Sequence, residues 1–188
     1  MEEVINKYKD PNLFQSQNDH DFFHRVYNQG NLNKYLKRLK AINAVNYKNV
    51  LDAGCGYGQW SFALSELNEN IHSYDVGTDR IRIANEIKDK IYCKNINFTI
   101  SDDPLTIYDQ EYFDFIFSYG VIQCTDYFET LKNYFKLLKP GGKLYFTGAD
   151  LGWFLYYIID THNDTEGYST RDWGIDTLDN TIDYFSSN

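Results

Sequence analysis

A short apolar run over Asn49–Ala53 closes on Gly54, Gly56 and Gly58, and Trp60, Ala63, Leu64 and Leu67 then follow on one helical face. The pattern is strand, tight loop, helix. A chain that turns this quickly from a buried strand into a helix belongs in a parallel sheet, because the helix carries it back across the sheet. Glycine tolerates positive φ and has no side chain, so this loop lets backbone come close to a ligand.

The unit repeats. Residues 71–76 predict a second strand ending at Asp75, after which Thr78 or Asp79 is placed to cap a helix with Ile81, Ala84, Ile87 and Ile91 inside. Residues 96–101 read as a third strand, and Phe113–Ser118, with its aromatic and β-branched FDFIF, as a fourth. Asp126 and Glu129 have capping-box spacing, with Phe128, Leu131, Phe135 and Leu138 as the apolar stripe of the helix that follows. Lys139, Pro140, Gly141 and Gly142 stop that helix, and 143–147 is a fifth strand. The fold class is α/β, a mostly parallel sheet with helices on both faces, and 188 residues suit one such domain. Ahead of it, residues 19–42 predict two helices broken at Gly30 and Asn31, with Phe22, Val26, Tyr35, Leu36, Leu39 and Ile42 at helical spacing.

A net charge of −9 opposes nucleic-acid binding, which needs clustered Lys and Arg, and favours a small-molecule partner. Cys55, Cys93 and Cys124 are odd in number and lack a CxxC pair, so the sequence predicts neither a disulfide framework nor a metal site, and a cytoplasmic setting fits. MEEVINKYKDPNLF lacks the basic start and apolar core of a signal peptide, and no apolar run approaches membrane-spanning length.

The loop spacing is GxGxG. The third glycine of the dinucleotide fingerprint GxGxxG would fall on Gln59, so a nicotinamide dinucleotide is the poorer match. Asp75, some twenty residues on, stands where a carboxylate can accept bonds from both ribose hydroxyls of an adenosine.

With VLDAGCGYG, YDVGTDRIRIA, ISDDPL, FDFIFSYGVIQCTD and LLKPGGKLYFTG in this order, the stretch from about residue 49 to 148 resembles the class I S-adenosylmethionine (SAM)-dependent methyltransferases. The resemblance implies a Rossmann-like fold, SAM as cofactor and S-adenosylhomocysteine as product. It implies that Ala53, Gly54, Cys55, Gly56 and Gly58 pack against the methionine part of SAM, with Asp52 near its amino group. Asp75 would hold the ribose, Val76 touch the adenine, Asp102 meet the adenine amine, and Ser118 and Tyr119 line the site. Arg38, on a predicted N-terminal helix, is the first choice to pair with the SAM carboxylate. Gln123 stands where relatives often carry histidine, which puts histidine chemistry at that point in doubt.

The implied reaction is in-line transfer of a methyl group to an O or N atom of a small-molecule or saccharide-like acceptor. The alternative is a SAM-binding, catalytically silent regulatory or scaffold module of a larger protein. No catalytic residue is fixed: His20, His24, Tyr27 and His162 lie in segments flanking the mouth of such a fold and are candidate bases or substrate contacts. Each also has a plain reading, His24 as a surface helix residue among them, and Asp102 with Asp103 as a solvated turn before Pro104.

The expected organisation is an N-terminal helical lid over residues 1–46, a SAM-binding core over 47–161, and a polar segment over 162–188. Residues 149–161 read as a helix whose Trp153, Phe154, Tyr156, Tyr157 and Ile158 either line an acceptor pocket or form core. The two strands that normally complete this family's sheet are not legible after it. The expectation is therefore that the C-terminal strands are incomplete and that the chain leads into further sequence, with another domain of the same polypeptide or a homodimer as partner.

Overall fold

The structure is a computed structural model and describes residues 2–29 and 32–148. Met1–Gly148 is one compact unit. Five strands, β1 (Asn49–Ala53), β2 (Asn70–Asp75), β3 (Ile96–Ile100), β4 (Phe113–Ser118) and β5 (Leu138–Phe146), form a sheet of order β3-β2-β1-β4-β5. Every pairing is parallel, as predicted. The order reverses between β1 and β4, so their C-terminal ends open the crevice where sheets of this kind hold ligands.

Alternation along the strands builds two cores. Val50, Ile71, Phe115 and Phe117 face α4 (Gln59–Ser65) and α5 (Thr78–Lys90), while Leu51, Tyr74 and Ile116 face α6 (Tyr127–Leu137). Helix α4 is buried at every position from Gln59 to Leu64, which explains why its sequence carries so little polar surface.

Three differences from the sequence reading have local causes. Thr78 and Asp79 do not cap α5: its N-cap is Gly77, whose own N–H donates to Asp75 Oδ1 at 2.8 Å, while Asp79 pairs with Arg82. In α6 the inward stripe is Tyr134, Leu137 and the following Leu138, with Leu131 packed alongside; Phe128 and Phe135 are each 71% exposed. The aromatic pair at i and i+7 looked like the buried face, but the smaller neighbouring stripe is the one that meets the sheet. Strand β5 begins at Leu138, earlier than 143, because Gly141 at φ +80° shapes a bulge that draws the helix-stop residues into the sheet. The Asp126 cap is present, accepting from the N–H groups of Phe128 and Glu129, though Glu129 turns to Lys132.

The N-terminal segment is helical as predicted, with additions. Helix α1 (Glu2–Lys7) seats Val4, with Tyr8 after it, in the core; α2 (Gln17–His24) runs into a π-helical turn over Arg25–Gln29, and α3 (Leu32–Ala41) follows. The predicted break at Gly30 and Asn31, the helix at 149–161, His162 and the polar segment after it lie outside the described residues.

Candidate functional site

The loop after β1 is held in a shape that glycine alone suits. Gly54, Gly56 and Gly58 have φ of +74°, +56° and +82°. A Cβ on Gly58 would stand 2.7 Å from Phe98, and one on Gly54 would collide with Val121. The N–H groups of Gly54 and Cys55 both donate to the Tyr74 carbonyl at 2.9 Å, which pins the loop to the end of β2.

Asp75 organises this corner. Its Oδ2 accepts from the Gly56 N–H at 2.9 Å and its Oδ1 from the Gly77 N–H at 2.8 Å, while Arg80 Nη1 lies 3.6 Å from Oδ1. The carboxylate is thus locked between the glycine loop and the start of α5, at the C-terminal end of its strand.

Asp52 is a different kind of acid. It is 2% exposed, and Ser61 Oγ donates to its Oδ2 at 2.5 Å, with Ser73 Oγ 3.0 Å behind Ser61. Among the described residues no cationic side chain bonds it. Burial, offset in part by Ser61 and reinforced by the negative charge of Asp75, pushes its pKa up to about 7. Such a carboxyl ionises fully when a cation arrives beside it.

Arg38 is the complementary anomaly. It is 4% exposed, yet Nη1 and Nη2 have no partner among the described residues. Its charge reaches the Tyr119 and Tyr145 hydroxyls, opposing the upward push that burial gives both phenols. Tyr119 leans on Trp60 at 5.0 Å, and Trp60 on Tyr35 of α3 at 4.5 Å, so one aromatic row fixes this wall. A buried fork with two free donors fits a carboxylate.

Val76 is 65% exposed at the mouth of the crevice. Asp103 is spent on the turn, accepting from the Leu105 N–H at 2.9 Å, whereas Asp102 is exposed with no bond in the turn. Ser118 is fully buried, its Oγ 3.3 Å from the Tyr134 hydroxyl, so the site meets the backbone there.

The candidate bases fall into two groups. His20 lies 3.3 Å from the Lys9 carbonyl and 4.3 Å, ring to ring, from His24, which bonds the Tyr8 backbone; burial and the neighbouring His20 lower the His24 pKa. Tyr27 donates its hydroxyl to the Tyr57 carbonyl at 2.7 Å, and burial holds its pKa well above the usual phenol value, which suits a clasp on the loop better than a proton acceptor.

Several residues escaped the sequence reading. Phe22 packs on Gly56, 3.2 Å from where a Cβ would be; Tyr57 donates to the Asp19 carbonyl at 3.1 Å; and Arg80 pairs with Asp19 at 3.0 Å. The only signal for Arg80 was a cation five positions after Asp75. Ser61, nine after Asp52, gave none. Among the described residues no group of His, Cys, Asp and Glu is arranged to hold a metal ion, and no helix is long and apolar enough to cross a membrane.

A family model described as a methyltransferase domain matches residues 45–182. A demethylmenaquinone methyltransferase of Lactococcus lactis is 30% identical over 112 residues, covering 57% of this chain and 44% of that protein. A ubiquinone biosynthesis O-methyltransferase of Coxiella burnetii is 30% identical over 127 residues, covering 66% and 54%. The chain therefore spans about half the length of these relatives. A SAM-dependent methyltransferase from Aquifex aeolicus shares the fold, with a TM-score of 0.57, 19% identity, and 87% of this chain and 88% of that one covered.

Proposed function

This chain belongs to the class I SAM-dependent methyltransferases, and we propose that it transfers the methyl group of SAM to an O or N atom of a small-molecule or saccharide-like acceptor. The carrying observation is a pair of opposites: Asp52, buried with no cationic side chain bonded to it among the described residues, and Arg38, buried with two nitrogens that have no partner among them. SAM has an ammonium and a sulfonium beside a carboxylate, so one ligand answers both.

In this reading the loop from Ala53 to Gly58 packs on the methionine moiety, Asp52 faces its ammonium and Arg38 its carboxylate. Asp75 takes the ribose hydroxyls with the lone pairs that Gly56 and Gly77 leave free. Val76 is the apolar floor under the adenine, Asp102 accepts from its amine, and the backbone at Ser118 and Tyr119 closes the side. The cofactor supplies an activated methyl on sulfur; the chain aligns it with the acceptor and keeps water from that line, and alignment of this kind is worth effective molarities of about 10⁵ M or more. The acceptor's proton leaves to solvent or to a general base.

Two relatives are named a demethylmenaquinone methyltransferase and a ubiquinone biosynthesis O-methyltransferase, which supports a small-molecule acceptor, and the net charge of −9 agrees with one. Incubating the protein with methyl-labelled SAM and a panel of phenols, catechols, amines and sugars tests the reading. Label in a product, with S-adenosylhomocysteine released one for one, is expected. SAM binding without label in any acceptor favours the silent module, and no SAM binding defeats both.

A further inference from the structure

The groups that fix the ribose carboxylate do not stop at the cofactor loop. Arg80 reaches Asp75 with Nη1 at 3.6 Å and Asp19 of α2 with Nη2 at 3.0 Å, its Nε also donating to Asp19 at 3.3 Å. Its guanidinium lies 5.5 Å from the Phe22 ring centroid, Arg25 lies 5.4 Å from the same ring, and that ring covers Gly56. Gly77 makes room for this: its φ is ordinary, but a Cβ there would stand 2.8 Å from Arg80 Cδ and 3.1 Å from Asp75 Oδ1. The glycine in YDVGTDR is thus needed for the space that lets the Arg80 stem fold back over the carboxylate.

We propose, building on the SAM-binding reading above, that Arg80 is a positioning residue joining the ribose carboxylate Asp75 to helix α2, so that adenosine binding and seating of the N-terminal lid are one event. The planar fork is suited to this because it serves two carboxylates in different directions while stacking on an aromatic face. Ribose hydroxyls that donate to Asp75 fix the carboxylate in place, and Arg80, which lies against it, is fixed with it and holds Asp19 in turn. Tyr57, which donates to the Asp19 carbonyl, and Tyr27, which donates to the Tyr57 carbonyl, carry the same tie back into the loop.

The test combines ligand titration with hydrogen exchange on the whole protein. Wild type is expected to bind S-adenosylhomocysteine and methylthioadenosine, and both are expected to slow exchange across residues 17–29. In Arg80→Gln both affinities should fall about three- to tenfold, as for a partly exposed ion pair, and saturating ligand should no longer slow exchange in 17–29. Asp19→Asn should reproduce that loss from the lid side, and the double variant should be no worse than Arg80→Gln alone. Gly77→Ala should weaken binding by displacing the Arg80 stem. A purely structural Arg80 would lower the melting temperature and leave ligand-dependent protection intact; that result, or unchanged affinity for methylthioadenosine, overturns the proposal. If wild type binds neither ligand, the cofactor assignment fails first and the coupling with it.

Discussion

The two ends of the crevice are built on opposite terms. At the β1–β2 end, Asp75 accepts from two backbone N–H groups and is ion-paired with a guanidinium, and the loop is pinned to Tyr74 through Gly54 and Cys55. At the β4–β5 end, Arg38 is buried beside two phenols, with two nitrogens that have no partner among the described residues. The first end is a finished carboxylate, its protein partners in place, which a ligand secures further by seating α2; the second is held in a costly state that a ligand relieves. A buried cation and a buried acid, neither bonded to an opposite charge among the described residues, are both penalties on the free protein, and they mark where binding energy is to be gained.

That contrast can be broken at either end. Asp75→Ala removes the acceptor for two ribose hydroxyls at about 1.5–3 kcal/mol each, so calorimetric titration should show affinity for S-adenosylhomocysteine lower by about a hundredfold or more. An unchanged affinity would mean the finished end is not the ribose site.

Asp52→Asn sharpens the contrast through pH. Native Asp52 keeps its proton to about pH 7, whereas an unfolded aspartate loses it near pH 4, so the native state holds more protons in between. The Asp52 contribution to stability therefore falls as pH rises through that window and is flat above it. Thermal melts should show ligand-free Asp52→Asn more stable than wild type at pH 8 by about 2–4 kcal/mol, the gap closing toward pH 4. SAM affinity of wild type should rise with pH up to about 7 and level off, because the ligand cation binds the ionised acid.

Arg38→Met should act in two directions. The ligand-free protein should melt higher, since an unpaired buried charge is gone, and S-adenosylhomocysteine should bind about ten- to a hundredfold more weakly. Equal affinity for methylthioadenosine, which lacks the carboxylate, would tie the effect to that group. Gly58→Ala is the mildest: its positive φ costs a side chain about 1–2 kcal/mol, and Phe98 must shift, so denaturant midpoints should drop while residual binding persists.

Legibility in the sequence followed the same divide. Asp75, the glycine cluster and the strands were readable because they recur at fixed intervals: positive φ calls for glycine at Gly54, Gly56 and Gly58, and Asp75 is the acid that closes β2. Arg38 was reached through family likeness, and the structure adds its burial with two nitrogens that have no partner among the described residues. Arg80, Ser61 and Phe22 were missed because their roles arise from tertiary approach across 61, nine and 34 positions to Asp19, Asp52 and Gly56, which periodicity does not encode. The α6 stripe was misread for a similar reason. Phe128 and Phe135 outweigh Tyr134 and Leu137 in apolar bulk, but tertiary packing decides which stripe is buried, and it is Tyr134 and Leu137 that cluster with Leu51, Phe113 and Ile116.

A crystal structure of the protein with S-adenosylhomocysteine tests the division of labour most directly. It should show the ribose hydroxyls on Asp75, the ammonium facing Asp52 and the carboxylate held by both free nitrogens of Arg38. A ligand seated elsewhere, or a carboxylate turned to solvent with Arg38 still unpaired, would contradict it.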